Sequence, residues 1–164
     1  MSVCSVERIA CTDKRGCPFE VGVCGEQDSE ALRAMYDAFY PLGESQGLPP
    51  AQEKQRRLWI ERLIGTAQNF VVWMDDHIVG HSALIADPDK GDCEYIIFVS
   101  QDFRNRGLGK ALTQQAIERA KAMGLQRVWL TVESYNFRAI KLYRGTGFVF
   151  VDQGERERTM ILDL

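Results

Sequence analysis

Two hydrophobic periods run through the chain and divide it into strands and helices. Near the start, Val6–Cys11 and Phe19–Cys24 are strand-like runs flanking the turn-rich DKRGCP, which predicts a hairpin or two neighbouring strands. Asp28 then stands where a helix N-cap belongs. Ala31, Leu32, Met35 and Phe39 follow at helical spacing, with Pro41 as the expected stop. PLGESQGLPP reads as a loop. Helical spacing returns over Ala51–Ile64 through Leu58, Leu63 and Ile64, with Gly65 as its predicted end. Asn69–Met74 and His77–Ile85, joined by Asp75-Asp76, predict two strands and a tight turn. After a second turn at ADPDKGD, CEYIIFVS is apolar almost without interruption, the pattern of a strand buried on both faces.

A third helix is expected from the glycine-rich stretch to about Met123, through Leu108, Ala111, Leu112, Ala116 and Ala120, with Gly124 as its cap. Gln126–Glu133 reads as a strand, Phe137–Arg144 as a short helix closed by Gly145 and Gly147, and Phe148–Leu164 as a last hairpin turning at QGE. Hairpins mixed with one strand–helix–strand crossover predict a mixed sheet with helices on both faces, an α/β domain of the α+β kind.

Composition narrows the function. The 164 residues are 45% hydrophobic and 26% charged, which fits a single domain with a real core. A net charge of −3 argues against a general nucleic-acid binder. No apolar run approaches the roughly 20 residues a bilayer needs, and no cleavable signal is recognisable, so a cytoplasmic protein is expected. Cys4, Cys11, Cys17, Cys24 and Cys93 form no CxxC, and His77 and His81 lie far from the first four. Reduced thiols fit better than a zinc site, and no metal is expected.

The chemistry concentrates in FRNRGLGKAL, residues 103–112. Two arginines, two glycines and a lysine sit between a buried strand and a helix start. There, free backbone amides and the helix dipole attract anions. Three readings compete: a solvated turn, a nucleotide phosphate loop, or a cradle for another pyrophosphate. A Walker loop needs Ser or Thr after its lysine, where Ala111 stands, and a dinucleotide fingerprint wants a third glycine at Leu112. Both patterns fail.

A second segment changes the balance. Arg104-x-x-Gly107-x-Gly109 resembles the R/Q-x-x-G-x-G/A signature of the GNAT superfamily of acyl-CoA-dependent N-acetyltransferases. Downstream, VESYNFRAIKLYRGTGF resembles that family's second motif through Asn136, Ala139, Tyr143 and Gly147-Phe148. Together with CEYIIFVS the two motifs cover about Cys93 to Val151, the expected CoA-binding core of a single N-acetyltransferase domain over 1–164. The resemblance implies a mostly antiparallel sheet of about seven strands and about four helices, with two central strands, here CEYIIFVS and RVWLTVE, splayed apart.

By that resemblance the co-substrate is acetyl-CoA. Backbone from Arg104 through Asn105, Arg106, Gly107, Leu108, Gly109 and Lys110 to Ala111 would cradle its pyrophosphate. The main chain of Phe98, Val99 and Ser100 would pair with the pantetheine arm, Asn136 would bind a pantetheine amide, and Ala139 would be the small residue beside it. Tyr143 would protonate the leaving thiolate; a packing role is the alternative. Lys141 and Arg144 would either touch the 3′-phosphate or be solvated. Glu94 matches a position of a catalytic glutamate acting as base, directly or through water, with Glu133 as the reserve. Thr131 stands where N-terminal acetyltransferases of the superfamily often carry glutamate, which weakens a peptide N-terminus as acceptor.

Nothing in the chain reads the acceptor directly. Its walls would come from YPLGESQGLPP and VDQGERERTM, while Glu44, Asp87, Asp89 and Asp92 read as solubilising loop acids. Trp59 and Trp73 read as packing residues. The expected activity is acetyl transfer to a primary amine by direct attack, with no cysteine in either motif to carry an acyl group. The partners are acetyl-CoA and the amine, without nucleic acid or membrane, and a homodimer is a compatible assembly. A CoA-binding sensor without catalysis is the competing function.

Overall fold

The computed structural model describes residues 7–43 and 47–164; Cys4, Val6 and Glu44 lie outside the described residues. The chain folds as β1 (Ile9–Thr12), β2 (Pro18–Val23), α1 (Ser29–Asp37), α2 (Glu53–Thr66), β3 (Gln68–Met74), β4 (His77–Asp87) and β5 (Asp92–Val99). It continues through α3 (Leu108–Ala122), β6 (Arg127–Glu133), α4 (Phe137–Gly145), β7 (Val149–Phe150) and β8 (Glu157–Asp163). The strands make one eight-stranded sheet in the order β1-β2-β3-β4-β5-β6-β8-β7, against the about seven that the family resemblance implies; β7 is only two residues long. Among the described residues no helix is long and apolar enough to cross a membrane.

Two helix ends differ from the sequence reading, and one N-cap residue bonds otherwise than a cap would. Asp28 does occupy the N-cap position of α1, but its carboxylate accepts from the Gly25 amide (3.0 Å) and caps no helical amide. Helix α1 stops at Asp37, well before Pro41. Gly65 lies inside α2, whose end is tied off by Thr66 Oγ1 donating to Arg62 O (2.7 Å) and by the Ala67 amide bonding Leu63 O. The Asp75-Asp76 turn is as expected: both residues have positive φ, 49° and 62°, which suits a two-residue hairpin loop.

The sheet has a core on each face. On one face α3 and α4 cover Phe70, Val72, Leu84, Cys93, Tyr95, Val128 and Leu130. On the other, α1 and α2 cover Val71 and Ile78 with Leu32, Tyr36 and Ile60. Side-chain alternation therefore sends Cys93, Tyr95, Ile97 and Val99 of β5 toward α3, and Glu94, Ile96 and Phe98 toward the α1/α2 side.

A buried polar chain knits the second layer. His81, fully buried on β4, accepts at Nδ1 from the Tyr36 hydroxyl (2.6 Å) and donates from Nε2 to Asn69 Oδ1 (2.9 Å). Asn69 Nδ2 donates to Leu63 O and Ala67 O, so its oxygen is left to accept, which fixes the imidazole tautomer. His81 is thus a structural residue. Burial lowers its pKa to about 3, keeping it neutral. Because the unfolded imidazole titrates near 6.5, protons favour the unfolded chain below that pH. We expect His81 to make stability fall by on the order of 1 kcal/mol per pH unit between about 6.5 and 3. Denaturant midpoints across that range should show a slope that His81→Gln removes; equal slopes would contradict the assignment.

Candidate functional site

Strands β5 and β6 are parallel neighbours, yet their pairing covers only Asp92–Glu94 against Arg127–Trp129. Beyond that they part, and a cleft of about 1290 Å³ passes between them. Its lining includes Glu94, Phe98, Val99, Arg104, Asn105, Gly107, Leu108, Gly109, Lys110, Asn136, Ala139 and Tyr143. Ser100, Arg106 and Ala111, grouped with them on sequence grounds, do not line it.

The glycine stretch forms the turn that starts α3. Asn105 and Gly107 have positive φ, 60° and 93°, bending the backbone into a concavity of amides. The first amide at this end with a backbone acceptor is Ala111, bonded to Gly107 O at 3.2 Å. Among the described residues the amides from Arg104 to Lys110 have none, and all of these residues but Arg106 line the cleft, at a helix N-terminus. The two glycines serve different ends. Gly107 supplies the left-handed turn, whereas a Cβ on helical Gly109 would sit 3.1 Å from Leu142 Cδ2, so its bareness lets α4 pack close.

The arginines are committed elsewhere. Arg104 donates from Nε to Val99 O (2.9 Å) and from Nη2 to Tyr40 O (3.0 Å). With Gln101, which accepts from the Tyr40 amide (3.2 Å) and donates to Ala38 O (3.0 Å), it pins the end of α1. Arg106 is buried and its Nε meets Asp13 Oδ2 at 2.6 Å. Burial alone would raise the Asp13 pKa, but hydrogen bonds from the Cys17 amide, the Arg106 side chain and the Arg15 amide hold it below the usual carboxylate range. The side chains of Arg104 and Arg106 thus hold neighbouring segments of the fold in place.

The main-chain expectation for Phe98, Val99 and Ser100 is also redistributed. The Ser100 amide donates to Val79 O (2.9 Å) and its carbonyl accepts from Phe103 (2.9 Å). Antiparallel alternation then turns the Phe98 main chain toward His81 on β4, and that of Ile97 and Val99 toward the gap. Ile97 was missed because its apolar side chain carries no sign of what its backbone faces.

Tyr143 is buried on α4, its ring 5.8 Å from Phe148, and burial raises its pKa well above the ordinary phenol value, so it stays protonated. Glu94, half-buried opposite Ile85 and Trp129, has its pKa raised by desolvation. The two approach the gap from opposite faces of the sheet. Glu133 lines the same cleft, as do Thr131, Trp59 and Arg62. Asn136 caps α4, its Oδ1 accepting from the Ala139 amide (3.2 Å), which leaves its Nδ2 protons for a ligand carbonyl. Lys141 lines the cleft, whereas Arg144 stacks on Phe150. Asp87 pairs with Lys90 in an exposed turn.

The sequence matches the Acetyltransferase (GNAT) family over residues 29–148. The chain belongs to the GNAT acetyltransferase family. It is 32% identical over 124 residues to the mycothiol acetyltransferase of Beutenbergia cavernae, a match covering 72% of this chain and 39% of that protein. Over 59 residues it is 42% identical to the L-methionine sulfoximine/L-methionine sulfone acetyltransferase of Pseudomonas aeruginosa, covering 36% of this chain and 34% of that one. The chain thus spans well under half the length of these relatives. Its fold is shared with the GNAT domain of S. lividans PAT (TM-score 0.83, 14% identity, 96% of this chain and 97% of that one). It is shared too with yncA of Salmonella typhimurium, solved with its cofactor acetyl-CoA (TM-score 0.70, 19% identity, 89% and 94%).

The turn itself is open to test. Apart from the Lys14 stem at 3.9 Å, nothing crowds a Cβ at Gly107, so the cost of Gly107→Ala is backbone strain. It should lower unfolding free energy by about 1–2 kcal/mol in urea titration. No loss would mean the left-handed turn is not needed.

Proposed function

We propose that this chain is a single N-acetyltransferase domain that moves acetyl from acetyl-CoA to a primary amine in the cytoplasm. The observation that carries the reading is the placement of one protonated phenol and one carboxylate on opposite faces of the same gap. Acetyl-CoA enters from the α3/α4 side, its pyrophosphate on the amides of 104–110 and its pantetheine along the edge of β5 at Ile97 and the Val99 amide. Asn136 donates to a pantetheine carbonyl. The amine enters from the α1/α2 side, between Trp59 and the strand ends.

The neutral amine attacks the thioester carbonyl, and the tetrahedral intermediate collapses with loss of the C–S bond. Tyr143 gives its proton to the departing thiolate, and Glu94 takes the proton lost by nitrogen, directly or through water. A lysine-like amine of pKa about 10.4 needs roughly 4–5 kcal/mol to lose its proton near pH 7, an α-amine only about 1. A base raised by desolvation is therefore most useful to strongly basic acceptors. No cysteine is among the residues lining the cleft, which supports direct attack. Burial raises the Cys24 and Cys93 thiols to about 12 and about 11.

Thiol release across an amine panel, from pH 6 to 10, tests the roles. Tyr143→Phe should lower kcat by about 10²-fold or more with acetyl-CoA affinity little changed. Since Glu94 keeps its proton above the usual carboxylate range, kcat/KM should rise with pH as it ionises. Glu94→Gln should lose the part of that rise due to Glu94, keep the part due to ionisation of the amine itself, and cost a lysine-like amine at least about tenfold, an amine of pKa near 8 much less. An unchanged kcat in Tyr143→Phe would return the tyrosine to packing, and equal losses for both amines would pass the base role to Glu133.

A further inference from the structure

The turn between β1 and β2 is bolted to the turn that starts α3. The buried Asp13 carboxylate holds Arg106 Nε at 2.6 Å through one oxygen and accepts the Arg15 and Cys17 amides, each at 2.8 Å, through the other. The Lys14 amide returns a bond to Arg106 O at 3.0 Å. Charge is balanced inside the bolt, so Arg106 has none left for a ligand. The bolt delivers another cation instead. Lys14 lies with Cγ and Cε each 3.9 Å from where a β-carbon of Gly107 would be, and it lines the cleft. It is exposed and, among the described residues, has no ion-pair partner.

We propose that Lys14 is a ligand of the acetyl-CoA diphosphate, supplied by the N-terminal hairpin from outside the glycine motif. This rests on the acetyltransferase reading above. The stem runs beside Gly107, whose amide belongs to the concavity, so the ammonium serves the phosphates held there. Two further cations, Arg138 and Lys141 on α4, also line the cleft. An ammonium suits this place: a compact point charge on a flexible stem can follow a diphosphate that the amides already orient.

Calorimetric titration of wild type, Lys14→Ala and Lys14→Arg with acetyl-CoA, 3′-dephospho-CoA and S-acetylpantetheine tests the assignment. Lys14→Ala should weaken acetyl-CoA and 3′-dephospho-CoA alike, by about threefold to fivefold at low salt, the scale of one exposed charge contact. The loss should shrink at high salt and leave S-acetylpantetheine, which has no phosphate, unchanged. Lys14→Arg should recover most of the affinity. An equal loss for all three ligands would mean that Lys14 only shapes the fold, and a loss absent with 3′-dephospho-CoA would move it to the 3′-phosphate. Either would overturn the proposal, as would unchanged affinity in Lys14→Ala beside a binding wild type. Wild-type protein that binds none of the three would overturn the acetyltransferase reading itself.

Discussion

The parting of β5 from β6 after three paired residues is the constraint on which the rest depends. Parallel strands joined through a helix normally run on together, with every backbone group paired. Here the outer edge of β5 from Tyr95 to Val99 loses its neighbour in the middle of the sheet. An unpaired edge inside a domain is a liability, and the molecule surrounds it with a cleft instead of covering it. Two consequences follow. The edge offers the backbone groups of Ile97 and the Val99 amide, the Val99 carbonyl being held by Arg104, and both faces of the sheet open onto one gap.

The elements around the gap are held by polar and charged side chains bonded to other parts of the chain. Arg104 and Gln101 fasten the end of α1 to the end of β5, and Arg56 ties the start of α2 back to Asp37 (2.8 Å), Pro50 O and Ala51 O. Arg106 fastens the first hairpin. In the proposed reading the loop would hold an anion through its unpaired amides and helix dipole, while the arginines set where those amides point. Such a division makes functional sense. Fixed dipoles lose little on binding, whereas a long cation bound to phosphate must first be ordered.

How far the sequence could be read depended on how local each cause was. The strands, the four helices and the Asp75-Asp76 hairpin follow from periodicity and turn chemistry within a few residues. The linked motifs around Gly107 and Asn136 pointed to the family and to most of the cleft lining. What escaped was set by distant partners or by backbone direction. Arg106 finds Asp13 from 93 residues away. The choice between Ser100 and Ile97 turns on strand alternation relative to β4, which no side chain reports. Gly65 stays helical because Thr66 and Ala67 close the helix two residues later than a glycine rule expects.

The central claim is that a free strand edge and a cradle of amides are preformed to hold acetyl-CoA. Backbone amide NMR of the protein titrated with CoA addresses it most directly. The largest shifts should fall on Ile97, Val99 and residues 105–110, with Phe98 and Ser100, whose amides are turned toward β4, moving much less. Shifts that were largest at Phe98 and Ser100, or that bypassed the turn before α3, would contradict the account.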